Sequence, residues 1–277
     1  MKHHELLLGR AKSIVWAIIQ LGLLLIAPTA HAITKANFDK STAPFQWETA
    51  TTVIPGLACD DCAQQINIGF DFPFAGDRFD KLHVSSNGLI SLLAGVNNYN
   101  NTDIPTSSQD KLSSALIMPY WDDLNPRAGG NITYATLGSA PNRRLVISWN
   151  NVPHYSSGGS YSFQAILYEN GEIKFQYGSG SANGASATIG IEVANDDFIK
   201  HSYNQAVISA NSALLFRPQP YVQSVSQACG SLNSLLVRYS YPMDASSAGR
   251  EQNYSFVSSP TPGLNVTSAS LSSDGYT

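Results

Sequence analysis

Charge is what this chain has least of. Asp, Glu, Lys and Arg together make up 13 % of 277 residues, so the surface must be built from Ser, Asn, Gly and Thr. That balance belongs to secreted β-proteins rather than to cytosolic enzymes. Basic residues are dispersed, and the single adjacent pair, Arg143-Arg144, reads as the solvated start of a strand. Without a clustered basic patch, nucleic acid is excluded as a partner. Helical periodicity is also missing: after residue 32 no window beyond about eight residues sustains a 3.6-residue apolar repeat. Only one long apolar run occurs, from Ser13 to Ala27, after Lys2, Arg10 and Lys12 and before Ala30-His31-Ala32. It falls short of the about 20 residues that span a bilayer and has the layout of a cleaved signal peptide over residues 1–32. Export is therefore predicted, with no transmembrane anchor left after cleavage. Lys2, Arg10 and Lys12 leave together with Glu5, so the net charge of −4 becomes −6.

Catalytic signals are equally thin. Beyond residue 32 only His83, His154 and His201 remain, and no G-x-S-x-G elbow accompanies them. His83 alternates with Leu82 and Val84 and reads as an outward strand residue. Three cysteines are present. Cys59 and Cys62 frame Asp60-Asp61 and fit a local disulfide, a redox pair or half a metal site. A redox role wants a βαβ context and zinc wants a second ligand pair; neither is found, which favours the disulfide. Cys229 is left over.

What the chain does have is short alternating strands. They are expected at 66–72, 81–85, 89–93, 132–137, 145–149, 161–168, 173–177, 187–193 and 213–216, with a fully apolar run at 115–118. A first strand is expected at 45–48, followed by 49–54. Asn87-Gly88 and Asn170-Gly171 are read as two-residue hairpin turns of type I′. The fold class is all-β, and the expected architecture is a sandwich. Pro218-Gln219-Pro220 reads as a linker. After it, strands at 221–225, 235–239, 253–257 and 266–271 begin a second module, too short for the about 100 residues of a full sandwich. The expected division is a signal peptide (1–32), a sandwich domain (33–217), a linker (218–220) and an incomplete β module (221–277).

The densest stretch is Met118-Pro119-Tyr120-Trp121-Asp122-Asp123-Leu124-Asn125, where a core strand leaves the sheet. Trp47, Trp121 and Trp149 are expected in the core. Asp122, Asp123 and Asn125 offer hard oxygens to a Ca²⁺ ion, with Thr102 or Asp103 nearby; the plainer reading is an Asx-rich turn. No cofactor is otherwise expected. As a glycosidase pair Asp122 and Asp123 are poorly placed, because neighbouring strand residues face opposite sides. For ligand contact the best residues are His154 and Tyr155 in a loop, with Tyr99 and Tyr161 in or beside loops as aromatic surfaces for a glycan. Binding is expected through the long polar loop 95–111 and through 153–160.

Several segments resemble a known family. Gly69-Phe70-Asp71-Phe72-Pro73-Phe74, Val84-Ser85-Ser86-Asn87-Gly88, the Met118–Leu124 stretch, Arg144–Trp149 and Phe163–Gly171 are similar to a nidogen-type extracellular domain. In bacteria such domains occur in large surface proteins, including MshQ-type proteins of mannose-sensitive haemagglutinin pilus biogenesis. Tyr241-Pro242-Met243-Asp244 and Ser268–Gly275 resemble the start of a bacterial Ig-like repeat of surface-layer proteins. The resemblance implies adhesion or scaffolding toward a surface or matrix protein or a glycan, and no catalytic residue. The expectation is thus an exported, non-enzymatic surface protein. The competing readings are accessory modules of a secreted hydrolase and a carbohydrate-binding module.

Overall fold

The structure, a computed structural model, describes residues 38–106, 115–180, 183–194, 197–230, 233–254 and 266–277. The expected signal peptide and part of the 95–111 loop lie outside the described residues. The chain runs β1 (Phe38–Thr42), β2 (Thr52–Val53), β3 (Ala63–Phe74), β4 (Asp77–Ser85), β5 (Ile90–Ser91) and β6 (Leu116–Trp121). It continues through β7 (Asn131–Leu137), β8 (Arg144–His154), β9 (Gly158–Tyr168), β10 (Ile173–Tyr177), β11 (Thr188–Ala194), β12 (Asp197–Tyr203) and β13 (Ser212–Pro218). Two antiparallel sheets result, in the orders β1-β13-β10-β9-β8-β7-β2 and β12-β11-β6-β5-β4-β3. Period-two alternation produces them: in β3, Ile66, Ile68, Phe70 and Phe72 turn inward while Asn67, Gly69 and Asp71 face out. The inner faces meet in one large core. There Trp149 stacks on Phe163 at 4.8 Å, and Tyr120 covers the same ring at 5.3 Å.

β6 is apolar throughout because both its faces are covered. Ile117 and Tyr120 point into the main core, whereas Leu116, Met118 and Trp121 join Leu89, Val96 and Ile104 in a second cluster. A bulge between Met118 and Trp121, opposite Thr188 and Gly190 of β11, shifts the alternation by one residue, so that Tyr120 follows Ile117 into the main core and Trp121 follows Met118 into the second cluster.

Several expectations are corrected. No strand forms at 45–48, and Trp47 is 38 % exposed rather than core. Residues 45–48 find no strand to pair with and are held by side chains instead. The Gln176 amide accepts from Gln46 N and donates to Gln46 O, both at 2.6 Å; Gln164 does the same for Glu48 at 3.1 and 2.6 Å. Two buried glutamines thus stand in for a neighbouring strand. Arg144, expected in solvent, fixes the strap further by gripping Glu48 through two N–H donors. Neither Asn-Gly turn is type I′, since only Gly88 and Gly171 have positive φ and the asparagines do not. Gly88 is required by space as well: a Cβ there would lie 2.0 Å from Tyr120 O.

Among the described residues Val222–Arg238 forms one compact unit, and the sandwich together with Tyr239–Thr277 forms the other. The first holds β14 (Val222–Gln227) and all but the last residue of its hairpin partner β15 (Leu235–Tyr239). In the second, Tyr241 is buried with its hydroxyl accepting from Ala75 N at 2.7 Å, and Arg78 lies over the Tyr276 ring at 3.9 Å. Residues 266–271 form no strand, and a short helix α1 (Ala245–Ala248) is capped by Asp244, whose carboxylate accepts from Ser247 N. The rest of the expected 253–257 strand lies outside the described residues beyond Tyr254.

Candidate functional site

Asn87 organises the loops at one end of the sandwich. It is fully buried, and a buried amide must find partners for its oxygen and its NH₂ group. Its oxygen accepts from Leu124 N at 3.0 Å, while Nδ2 donates to Asp61 at 2.9 Å and to Asn97 O at 3.4 Å. The Asn87 carbonyl takes Asp122 N. One residue therefore ties together the 59–62 loop, the long loop and the turn that ends β6. Cys59 and Cys62 are joined as a disulfide that closes the first of these.

The long loop folds back over the second core cluster. Trp121 Nε1 donates to Asn98 O, Thr188 Oγ1 donates to Thr102 O, and Ile104 seats above Gly190. Thr106 then bonds the buried Glu192 carboxylate through both its amide, 2.9 Å, and its hydroxyl, 3.1 Å. Burial pushes the Glu192 carboxyl above its ordinary range, with the Thr106 bonds pulling it back.

Asp122 is 3 % exposed, and both of its carboxylate oxygens are engaged. Oδ2 accepts from the Ser186 hydroxyl at 2.6 Å; Oδ1 accepts from Asp123 N and faces His154 Nε2 at 3.4 Å. His154 Nδ1 accepts from Ser156 N at 3.1 Å, which leaves the ring proton on Nε2 to point at Asp122. Burial raises the Asp122 pKa, while Ser186 and His154 oppose that rise.

Around this latch lies a cleft of about 370 Å³. Tyr99, Asn100 and Asn101 of the long loop form one wall, and Asp122, Asp123 and His154 form another. Ala185, Ser186 and Asn204 complete the lining. Of the residues singled out in the sequence, the fold thus brings Tyr99, Asp122, Asp123 and His154 together. Tyr155 stands at the tip of the β8–β9 hairpin, 60 % exposed, outside the cleft lining. Tyr161 is a correction: at 9 % exposure its ring packs edge-on against Tyr120 at 5.6 Å, so it serves the core. Asn125 spends its side chain on Arg127 N in an Asx turn, and Asp103 pairs with Lys200, so neither joins Asp122 and Asp123 as a hard-oxygen ligand.

The carboxylates that do approach one another are those of Asp60, Asp61 and Asp123, with oxygens within 4.8 Å. Burial lifts the Asp60 and Asp123 pKa values, and their mutual repulsion with Asp61 adds to the rise. Asn87, Ser186, Asn204 and the Asp60-Asp61 pair were not legible as site residues. Their roles depend on loop approaches spanning tens of residues, and only the Asn-Gly dipeptide hinted at position 87.

A family model described as NIDO related, that is nidogen-related, matches residues 37–222, well over half of the chain. The chain belongs to the nidogen-related family. The cleft, the Asn87 hub and the latch all lie inside the matched region of this nidogen-related domain. No solved structure matches the chain. Among the described residues no helix is long and apolar enough to cross a membrane.

Proposed function

We propose that this protein acts outside the cell as a non-enzymatic surface module, in adhesion or in pilus- or matrix-associated assembly, and meets its partner through the loop-end cleft. The observation that carries this reading is the convergence of Tyr99 from the long loop, Asp123 from the turn after β6 and His154 from the end of β8 on one open cleft. Binding sites favour such loops because the scaffold beneath holds them in place. Family membership supports an extracellular setting, as do the low charge and the predicted signal peptide over residues 1–32.

The chemistry of the latch argues against catalysis. Ser186 donates to Asp122 and not to His154, so the three residues do not form a relay that would activate a hydroxyl. His154 has one ring nitrogen turned to a carboxylate and the other to backbone amides, leaving neither imidazole nitrogen free toward the cleft. Asp122 is occupied in holding loops together.

Beads coated with the full chain test the proposal on surfaces coated with extracellular-matrix glycoproteins. Retention well above that of uncoated beads, with no release of peptides or reducing ends from the surface, is expected. Release of either product at a steady rate, or retention no better than uncoated beads, contradicts it.

A further inference from the structure

Resting on that reading, we propose that the cleft takes a neutral sugar, with a pyranose face on the Tyr99 ring and ring hydroxyls bonded by Asp123 and the asparagine amides. Tyr99 is 53 % exposed at the cleft wall, so its ring offers a flat apolar face with a polar edge to a ligand in the cleft. Among the described residues no Lys or Arg lines the cleft, whereas Asp122 and Asp123 do. A sialylated, sulfated or phosphorylated ligand would meet two carboxylates with no cation to offset them.

The polar lining has the mixed character that sugar hydroxyls need, since each hydroxyl both donates and accepts. Asn101 Nδ2 donates to Thr188 Oγ1 at 3.1 Å and to Asn204 Oδ1 at 2.9 Å. Those two bonds fix both amides and, among the described residues, leave Asn101 Oδ1 as an unspent acceptor and Asn204 Nδ2 as an unspent donor. The Asp123 side chain accepts no hydrogen bond among the described residues, although its backbone is held on both sides: N donates to Asp122 and O accepts from Tyr155 N. The Asp122 latch fixes the floor beneath. Donors and acceptors are therefore positioned before the ligand arrives, which lowers the ordering cost of binding.

The test is a glycan array probed with the full chain, followed by bead retention on the matrix-glycoprotein surface before and after enzymatic removal of its glycans. Binding to one or more neutral glycans, with sialylated and sulfated ones silent, is expected. Tyr99→Ala should weaken that binding at least about tenfold and Tyr99→Phe by less than about twofold, with unchanged melting midpoints, because the ring face and not the hydroxyl carries the contact. Asp123→Asn should weaken it about tenfold through loss of a charged acceptor. Binding only to anionic or amine-bearing glycans, binding to no glycan, or indifference to Tyr99→Ala overturns the proposal. Retention that survives deglycosylation yet falls in Tyr99→Ala overturns the sugar while leaving the adhesive role intact; loss of retention by every chain removes the adhesive role itself.

Discussion

Two irregular segments cover the outer faces of the two sheets, and they are held by opposite chemistry. Residues 45–48 are strapped to the seven-stranded sheet by neutral amides, Gln164 and Gln176, which are both fully buried. The 96–106 segment is seated on the six-stranded sheet by an apolar cluster around Trp121 and pinned at its end by the buried carboxylate of Glu192. The first device satisfies backbone groups at fixed geometry through amides that do not titrate, with the Arg144–Glu48 ion pair beside them. The second relies on packing along most of its length and puts an ionisable group at the end. Only the second delivers side chains to the cleft, so the segment that carries Tyr99 is also the one anchored by a fully buried carboxylate.

The comparison can be broken most severely at Gln164. Its amide serves Glu48 N, Glu48 O and the Ser148 hydroxyl. Gln164→Leu strands those groups and should cost about 3 kcal/mol by denaturant unfolding, given about 1–3 kcal/mol for each buried group left unpaired. A loss under about 1 kcal/mol would mean that water serves the strap as well as the glutamine does.

Glu192 sharpens the contrast with a smaller effect. Burial raises its pKa, so the folded protein holds this proton more tightly than the unfolded chain does. Its contribution to stability is therefore present at acid pH and is lost as pH rises through the raised folded value. Glu192→Gln keeps an acceptor for Thr106 N and removes the buried charge. The variant should exceed the wild type by about 1 kcal/mol at neutral pH, and the two should converge as pH falls toward the ordinary carboxylate range. A stability difference that does not change with pH would show that Glu192 is not the titrating anchor. No such pH dependence is expected at Gln164.

The same comparison explains what could be read from sequence. Strands flanked by partners on both sides announce themselves: β10 falls on the expected 173–177, and β7, β8 and β9 contain the runs that alternation marked out. The apolar Ala115–Met118 run signalled a strand with both faces covered. The edge strands β1 and β12 were silent, whereas β3, also at an edge, alternates clearly over the expected 66–72. β1 buries only Phe38, and β12, Asp197–Tyr203, shows no regular alternation because only Asp197 and Ser202 are fully covered. Trp47 was misjudged because an aromatic in an apolar context looks like core, whereas the strap hangs from side-chain amides that leave no sequence pattern. In the cleft, exposed Tyr99 and the Asp122-Asp123 pair stood out by residue type. Asn87 looked like any turn residue, since its partners at positions 61, 97 and 124 become neighbours only once the sheets pair.

Hydrogen exchange of the full chain tests the central claim most directly, in the presence and absence of a soluble form of the matrix glycoprotein that retains the coated beads. Amides at 97–104, 121–125 and 153–158 should exchange more slowly in the complex, with those at 45–51 and 222–227 unchanged. Protection at the glutamine strap or at the β14 strand, with none at the loop end, would contradict the assignment of the cleft as the contact site.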